Sequence, residues 1–201
     1  MNKLILIWFC LCIGTKTLFA QQGKYDIAVS YGFYQAPMYK QAVNKNFFAA
    51  DFDYYIAKRW AISSGFLSGQ FAYYEDYRSN AYSNDDYTNA KGYESHAYLT
   101  ASYSVIHGKR FSVQIGAGIG LFTQRLKFPY RAAGANLEAS HYGEQIFTGE
   151  ESFSIVEIPL KLEAYYRLGT RFGLGIKAGT FLQLGRPLAA SYFGPQLRVR
   201  L

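Results

Sequence analysis

The chain contains little cysteine, little proline and no long apolar run after its first residues. Its two cysteines, Cys10 and Cys12, both lie within residues 1–20, and there are only five prolines among 201 residues. The remainder of the chain therefore holds neither a disulfide framework nor a cysteine metal site. No later segment has the roughly 20 apolar residues that a membrane-spanning helix requires, which argues against a helical membrane protein.

Residues 1–20 have the features of a secretory signal peptide. Lys3 gives a short positive start, residues 4–13 form an apolar run, and Leu18-Phe19-Ala20 is a suitable cleavage site. The apolar run is about half the length of a spanning helix, which disfavours a membrane anchor. We therefore expect export, and a single mature domain spanning residues 21–201.

The charge distribution argues against several functional classes. The net charge is +7, but the basic residues are scattered rather than concentrated on one face, so nucleic-acid binding is not expected. No group of His, Asp or Glu has metal-ligand spacing, and no metal or other cofactor is predicted. The glycines of residues 116–120 depart from the dinucleotide-binding pattern, and no helix follows them.

Aromatic residues are abundant, with 19 Tyr and 16 Phe, and apolar residues recur with a period of two. From Phe111 to Leu121 the apolar side chains alternate with serine, glutamine and glycine, which is typical of a strand with one apolar face. The same pattern from Phe172 has Phe181 as its exception. Eight such strands are predicted, of which residues 60–73 form the least regular, with a bulge expected near Ser68-Gly69.

The connections between these strands alternate in length. Three are tight, and the others are longer. In a barrel that crosses the outer membrane of a Gram-negative bacterium, the periplasmic turns are short and the external loops long. The sequence therefore predicts an all-β, antiparallel up-and-down transmembrane barrel with both termini in the periplasm. The tight connections are residues 57–59, 107–110 and 168–171, and the longer ones are residues 36–46, 75–94, 127–153 and 185–191.

Alternation alone does not say which face points inward, since a soluble barrel buries its apolar face. Here the other face carries glycines and charges of both signs, which suits a narrow lumen in which opposite charges pair. We expect this charge network to plug the lumen, and a narrow path for ions or a small solute is the alternative. The predicted network consists of Asp26, Asp51, Asp53, Glu157, Lys161, Glu163, Lys177, Arg198 and Arg200.

The last strand carries apolar residues at alternate positions, among them Phe193, Leu197, Val199 and Leu201. With the signal peptide and the eight amphipathic strands, this chain resembles the small outer-membrane β-barrel family, which includes OmpA-like transmembrane domains and PorT-like proteins. The resemblance implies contact with outer-membrane lipid, and insertion by the barrel-assembly machinery through that last strand. Leu201 stands where the family usually has a terminal aromatic residue. The family implies no single activity.

Three functions remain open at this point. The leading hypothesis is a non-enzymatic protein whose tyrosine-rich external loops, residues 73–93 and 127–153, bind an extracellular or envelope protein or a surface polymer. A small pore is the second hypothesis. A lipid A-modifying enzyme is the third, and it would draw on Ser140, His141 and Glu144, whose adjacency in sequence is weak evidence for a catalytic triad.

Overall fold

The computed structural model of this protein describes residues 25–36, 41–75, 87–131, 146–183 and 186–201. Eight strands follow one another in chain order, each is antiparallel to the next, and β1 pairs with β8 to close a barrel. The predicted all-β up-and-down barrel of eight strands is confirmed. The strands are β1 (Tyr25–Gln35), β2 (Gln41–Tyr55), β3 (Trp60–Glu75), β4 (Tyr87–His107), β5 (Phe111–Arg131), β6 (Ile146–Arg167), β7 (Phe172–Gln183) and β8 (Arg186–Arg200).

Within these ranges no helix is long and apolar enough to cross a membrane.

The three tight turns lie at the same end of the barrel as the start of β1 and the end of β8. There the amide of Leu201 donates to the carbonyl of Tyr25 at 2.9 Å. In the β6–β7 turn Gly169 has a φ of 141°, a conformation that other residues rarely adopt. We call this the turn end of the barrel, and the opposite end the loop end.

An apolar belt surrounds the outside of the barrel. Outward side chains such as Phe33, Ile119 and Leu174 are 69%, 59% and 51% exposed, whereas the side chains between them point into the lumen. Closure of the barrel pairs the strands on both sides, as a structure inside hydrocarbon requires. This outer surface therefore suits lipid rather than water. The belt ends toward the loops at outward polar residues on seven strands, Gln35, Asn46, Ser68, Ser95, Thr123, Ser154 and Ser191.

The strands continue past this belt at the loop end. β4 begins at Tyr87 and β6 at Ile146, so the predicted loops 73–93 and 127–153 were drawn too long. The pairing of β5 with β6 runs on from Thr123 opposite Ser154 to Arg131 opposite Ile146. The sequence concealed this extension because the outward residues become polar there while the backbone pairing persists.

The bulge expected near Ser68-Gly69 was wrong. β3 keeps an unbroken register with β4 from Trp60 to Tyr73. The apparent change of phase arises because the lumen face itself becomes apolar toward the loops, with Leu67 and Phe71 fully buried. Phe181 likewise points into the lumen, in phase with Gly173 and Lys177 on the same strand, and is not an exception to the alternation.

Candidate functional site in the barrel lumen

The structure brings eight of the nine residues of the predicted charge network together in the turn-side half of the lumen. Four carboxylates face four cations there, so the formal charges of this group balance. All eight are buried except Arg200, whose side chain is 26% exposed at the turn-end mouth. The ninth residue, Glu157, pairs elsewhere. The eight are Asp26, Asp51, Asp53, Lys161, Glu163, Lys177, Arg198 and Arg200.

Arg198, on β8, is the centre of this group. Its Nη2 donates to Glu163 at 2.9 Å, and its Nη1 donates to Asp53 and, at 3.4 Å, to Asp26. Its guanidinium carbon lies 4.4 Å from the centre of the Tyr165 ring. A planar guanidinium with five N–H donors suits this role, because it serves several carboxylates at once.

Two lysines complete the network. The Nζ of Lys177 lies 2.5 Å from Asp51 and 2.8 Å from the Tyr98 hydroxyl. Lys161 donates to Ser63 at 2.9 Å and lies 3.6 Å from Asp53 and from Glu163. Each buried ammonium therefore has charged and neutral partners, which offsets the cost of removing it from water.

Glycine provides the space that these long side chains occupy. A Cβ atom at Gly116 would lie 2.9 Å from Cγ of Lys161 and 2.6 Å from the Ser102 hydroxyl. At Gly69 a Cβ atom would lie 2.6 Å from the Tyr34 ring. The glycines of the lumen face thus leave room for side chains that reach across the barrel.

A second polar cluster lies closer to the loops and contains Glu157. The His96 Nδ1 is 3.0 Å from both carboxylate oxygens of Glu157, and its Nε2 is 2.8 Å from the Tyr34 hydroxyl. That hydroxyl also bonds to Glu94, which accepts a further bond from the Gln124 amide. We call Tyr34, Glu94, His96 and Glu157 the acid cluster.

The Tyr34 hydroxyl has two partners in the acid cluster. It has one O–H, yet it faces the Glu94 carboxylate on one side and an imidazole nitrogen of His96 on the other. Only one of these contacts can use the tyrosine proton, so the hydroxyl oxygen accepts in the other.

An aromatic layer packs around the acid cluster. The Phe181 ring stacks on His96 with 3.9 Å between centroids, and the Tyr192 ring lies 5.5 Å from Phe181 and 5.3 Å from Phe47. Charged pairs fill the lumen toward the turns and aromatic rings fill it toward the loops. Buried side chains therefore occupy both halves of the described lumen.

Sequence reasoning missed the acid cluster for a specific reason. Glu94 falls within the predicted loop of residues 75–94, and no spacing in the sequence pairs His96 with a carboxylate. The available signal was the period of two, which puts Glu94, His96 and Tyr98 on one face. Nothing in the sequence showed that Glu157 faces His96 across the β5 strand.

The other predicted sites have different positions. Phe193, Leu197 and Leu201 of the predicted insertion signal lie on the outer face with about half of each side chain exposed, and Val199 is half-buried. Residues 1–20 and the set of Ser140, His141 and Glu144 lie outside the described residues. Among the residues that are described, no group of three or more potential ligands is arranged to hold a metal ion.

Comparison with known proteins gives structural matches only. No protein-family model matches the chain, and no curated protein matches it significantly in sequence. Ail of Yersinia pestis, solved in complex with the heparin analogue sucrose octasulfate, superposes with a TM-score of 0.50 at 14% identity, covering 90% of this chain and 98% of that one.

Two further small barrels give similar values. Neisserial surface protein A has a TM-score of 0.49 at 9% identity, covering 88% of this chain and 96% of its own. OprG of Pseudomonas aeruginosa also has 0.49, at 12% identity, covering 89% and 94%. On the match to Ail and on its own strand topology, the chain has the fold of the small eight-stranded outer-membrane β-barrels, as its sequence predicted.

Proposed function

We propose that this protein is an integral, non-enzymatic component of the Gram-negative outer membrane, in which the barrel is a closed anchor and the loop end is a recognition surface. The observation that carries the proposal is the filled lumen, where three carboxylates and three cations from strands that are not neighbours pair with one another. A barrel of eight strands is just wide enough for side chains to fill. The anchor is therefore closed by its own ion pairs.

The position of the ion pairs supports closure over conduction. Lys177 on β7 bonds to Asp51 on β2, and Lys161 on β6 bonds to Ser63 on β3. These contacts span the lumen, and an ion passing through would have to separate them. Separating one partner from a buried pair costs about 3–5 kcal/mol, which opposes spontaneous opening.

The loop end supports recognition because a sheet rises beyond the apolar belt. β5 and β6 remain paired there for eight further residues on each strand, up to Arg131 and Ile146. No described strand pairs with β6 on its other side before Glu157, which is opposite Gln183. An unpaired strand edge offers backbone donors and acceptors to an extended partner segment.

Planar-bilayer recording of the purified barrel tests the closed-anchor half of this proposal. We expect no steady channel at either polarity, with folding checked in the same sample by heat-modifiable gel migration. Steady, ion-selective steps would favour the pore, which is the alternative predicted from the sequence.

Trimming the protruding hairpin tests the recognition half. Residues 128–149 would be replaced by Asn-Gly, which joins Lys127 to Glu150 where the two strands are already opposite each other. We expect the trimmed barrel to fold and to lose binding to a panel of extracellular-matrix proteins and surface polysaccharides that the intact barrel binds. Lys109→Gln, at the opposite end, is the matched control and should bind like the intact barrel.

The remaining assignments belong to the same proposal. Overexpression should leave the mass spectrum of lipid A unchanged, and a new deacylated or modified species would show an enzyme instead.

Insertion by the barrel-assembly machinery through Phe193, Leu197, Val199 and Leu201 stays a prediction. A slower appearance of folded barrel in Leu197→Ser than in the lumen variant Gln196→Ser would support it.

A further inference from the structure

A ring of basic side chains surrounds the turn end of the barrel. Of the seven residues in this ring, only Arg200 has a described carboxylate within 4 Å, namely Asp26. The six other residues of the ring form no ion pair with a described carboxylate. Exposed cations do not need one, because water already solvates them. The ring consists of Lys58, Arg59, Lys109, Arg110, Arg167, Arg171 and Arg200.

The ring is built from the same local geometry in all three turns. In each turn an arginine precedes an aromatic residue that opens the next strand: Arg59-Trp60, Arg110-Phe111 and Arg171-Phe172. In each, the arginine carbonyl accepts a backbone bond from the neighbouring strand, from Ser104 at 2.8 Å and from Arg167 and Arg200 at 2.7 Å. The three arginines are therefore held at equivalent positions on the rim.

Two of these arginines point along the outer wall rather than into the lumen. Arg59 donates to the Tyr103 hydroxyl and Arg110 to the Tyr166 hydroxyl, both at 3.3 Å. Tyr166 is 43% exposed on the outer face, and Trp60 packs against Tyr103 with 5.0 Å between ring centroids. Outward aromatic rings at the margin of an apolar belt lie at the level of lipid headgroups.

His107 lies close to several of the positive charges of this ring. It lies at the turn-side end of β4, beyond the belt, and partial burial lowers the pKa of its imidazole. The positive charges of Arg167, Lys58, Arg59 and Arg200 lower that pKa further. Cations from the β2–β3 turn, from the end of β6 and from the last strand therefore act on one site.

We propose that this basic ring binds the phosphate groups of anionic phospholipid headgroups in the membrane leaflet that faces the turns. Each guanidinium has five N–H donors and gives only one to a tyrosine, so Arg59 and Arg110 keep donors for a phosphate. A lipid fits better than a soluble acidic partner because these arginines are spread around the outer circumference, beside the outward aromatic rings at the margin of the apolar belt. A soluble partner would be expected to contact the mouth of the barrel.

Trp60 provides a reporter within the site. The chain has two tryptophans, and Trp8→Phe makes Trp60 the sole one whether or not the first 20 residues are removed. The barrel would be reconstituted in phosphatidylcholine bilayers that contain, in separate samples, equal mole fractions of brominated phosphatidylglycerol or brominated phosphatidylcholine. Quenching of Trp60 fluorescence then reports which lipid occupies the positions beside Arg59.

We expect phosphatidylglycerol to be preferred at least about threefold, since one basic residue near an anionic membrane contributes roughly that much or more. Arg59→Gln combined with Arg110→Gln should abolish the preference. Arg125→Gln, which removes an exposed arginine at the opposite end, is the matched control and should preserve it. High salt should weaken the preference through screening.

Equal quenching by the two lipids would overturn the proposal, as would a preference that survives the double substitution or disappears in Arg125→Gln. A change in Trp60 emission on adding soluble polyglutamate to zwitterionic bilayers, without a lipid preference, would assign the ring to an acidic protein segment instead. This inference rests on the membrane location given in the proposed function, but none of these outcomes bears on whether the lumen is closed, so the closed anchor is tested separately.

Discussion

Lys177 and Asp51 form an ion pair across the barrel, with 2.5 Å between Nζ and Oδ2. The two residues belong to β7 and β2, between which β8 and β1 lie in the ring of strands. Both side chains are fully buried. The pair therefore joins opposite walls of the lumen, and its removal should affect the whole barrel rather than one strand pair.

Lys177→Met should destabilise the barrel by about 3–5 kcal/mol, because Asp51 would remain buried without its cation. The measurement is the free energy of unfolding in urea, with the protein in detergent micelles or thin-bilayer vesicles. The double variant Lys177→Met with Asp51→Asn should recover much of this loss, since neither unpaired charge remains. Equal stabilities of the single and double variants would contradict the assignment.

Gly69→Val should destabilise the barrel by about 1–3 kcal/mol through overpacking, because a side chain there meets the Tyr34 ring. Tyr34 could not move freely, since its hydroxyl bonds to Glu94 and His96. Ser68→Val is the matched control, as residue 68 points outward at the margin of the belt and has room. Urea midpoints of the two variants decide the comparison, and a lower midpoint for Ser68→Val would reverse the assignment of faces.

The alternation of residues was enough to predict the barrel. Along β5, from Phe111 to Leu121, one face is apolar and the other small or polar, and this pattern fixes both the strand and its orientation once lipid is the surrounding medium. The same rule placed the charged residues on the lumen side. The alternation could not give the position where each strand ends, because backbone pairing continues after the outward residues become polar. The pairing of β5 with β6 beyond Thr123 and Ser154 is an example.

The sequence also could not predict which side chains pair with each other within the lumen. Asp51 and Lys177 meet because the barrel closes with a particular stagger of its strands, and a period of two along each strand carries no information on that stagger. For the same reason Glu157 was grouped with the ion-pair network, although its partner is His96. Pairing across a barrel is a property of the closed sheet rather than of any one strand.

Arg167→Gln should raise the pKa of His107 toward its ordinary value of 6.5. Burial has the largest effect in lowering this pKa, and the positive charge of Arg167 has the next largest. A histidine with a lowered pKa takes up its proton more readily in the unfolded chain, so it lowers the stability of the barrel as the pH falls below 6.5. NMR titration of the imidazole signals measures the shift, with His107→Gln to assign the resonance. Arg125→Gln should leave the titration unchanged, and an unchanged titration in Arg167→Gln would refute the electrostatic cause.

His96→Ala should be among the most destabilising single changes in the lumen, at about 3–5 kcal/mol. The substitution leaves the buried carboxylate of Glu157 and the Tyr34 hydroxyl without their nitrogen partners, and it removes the ring stacked on Phe181. Glu157→Gln should cost less, because its side-chain oxygen still accepts from Nδ1 of His96.

A double-mutant cycle separates these contributions. If the His96 and Glu157 side chains depend on each other, His96→Ala with Glu157→Ala should destabilise the barrel by less than the sum of the two single variants, as expected for residues in direct contact. Urea unfolding of the four proteins at neutral pH provides the measurement. Additive losses would mean that the histidine acts through its ring stacking alone, and that the carboxylate has another source of stabilisation.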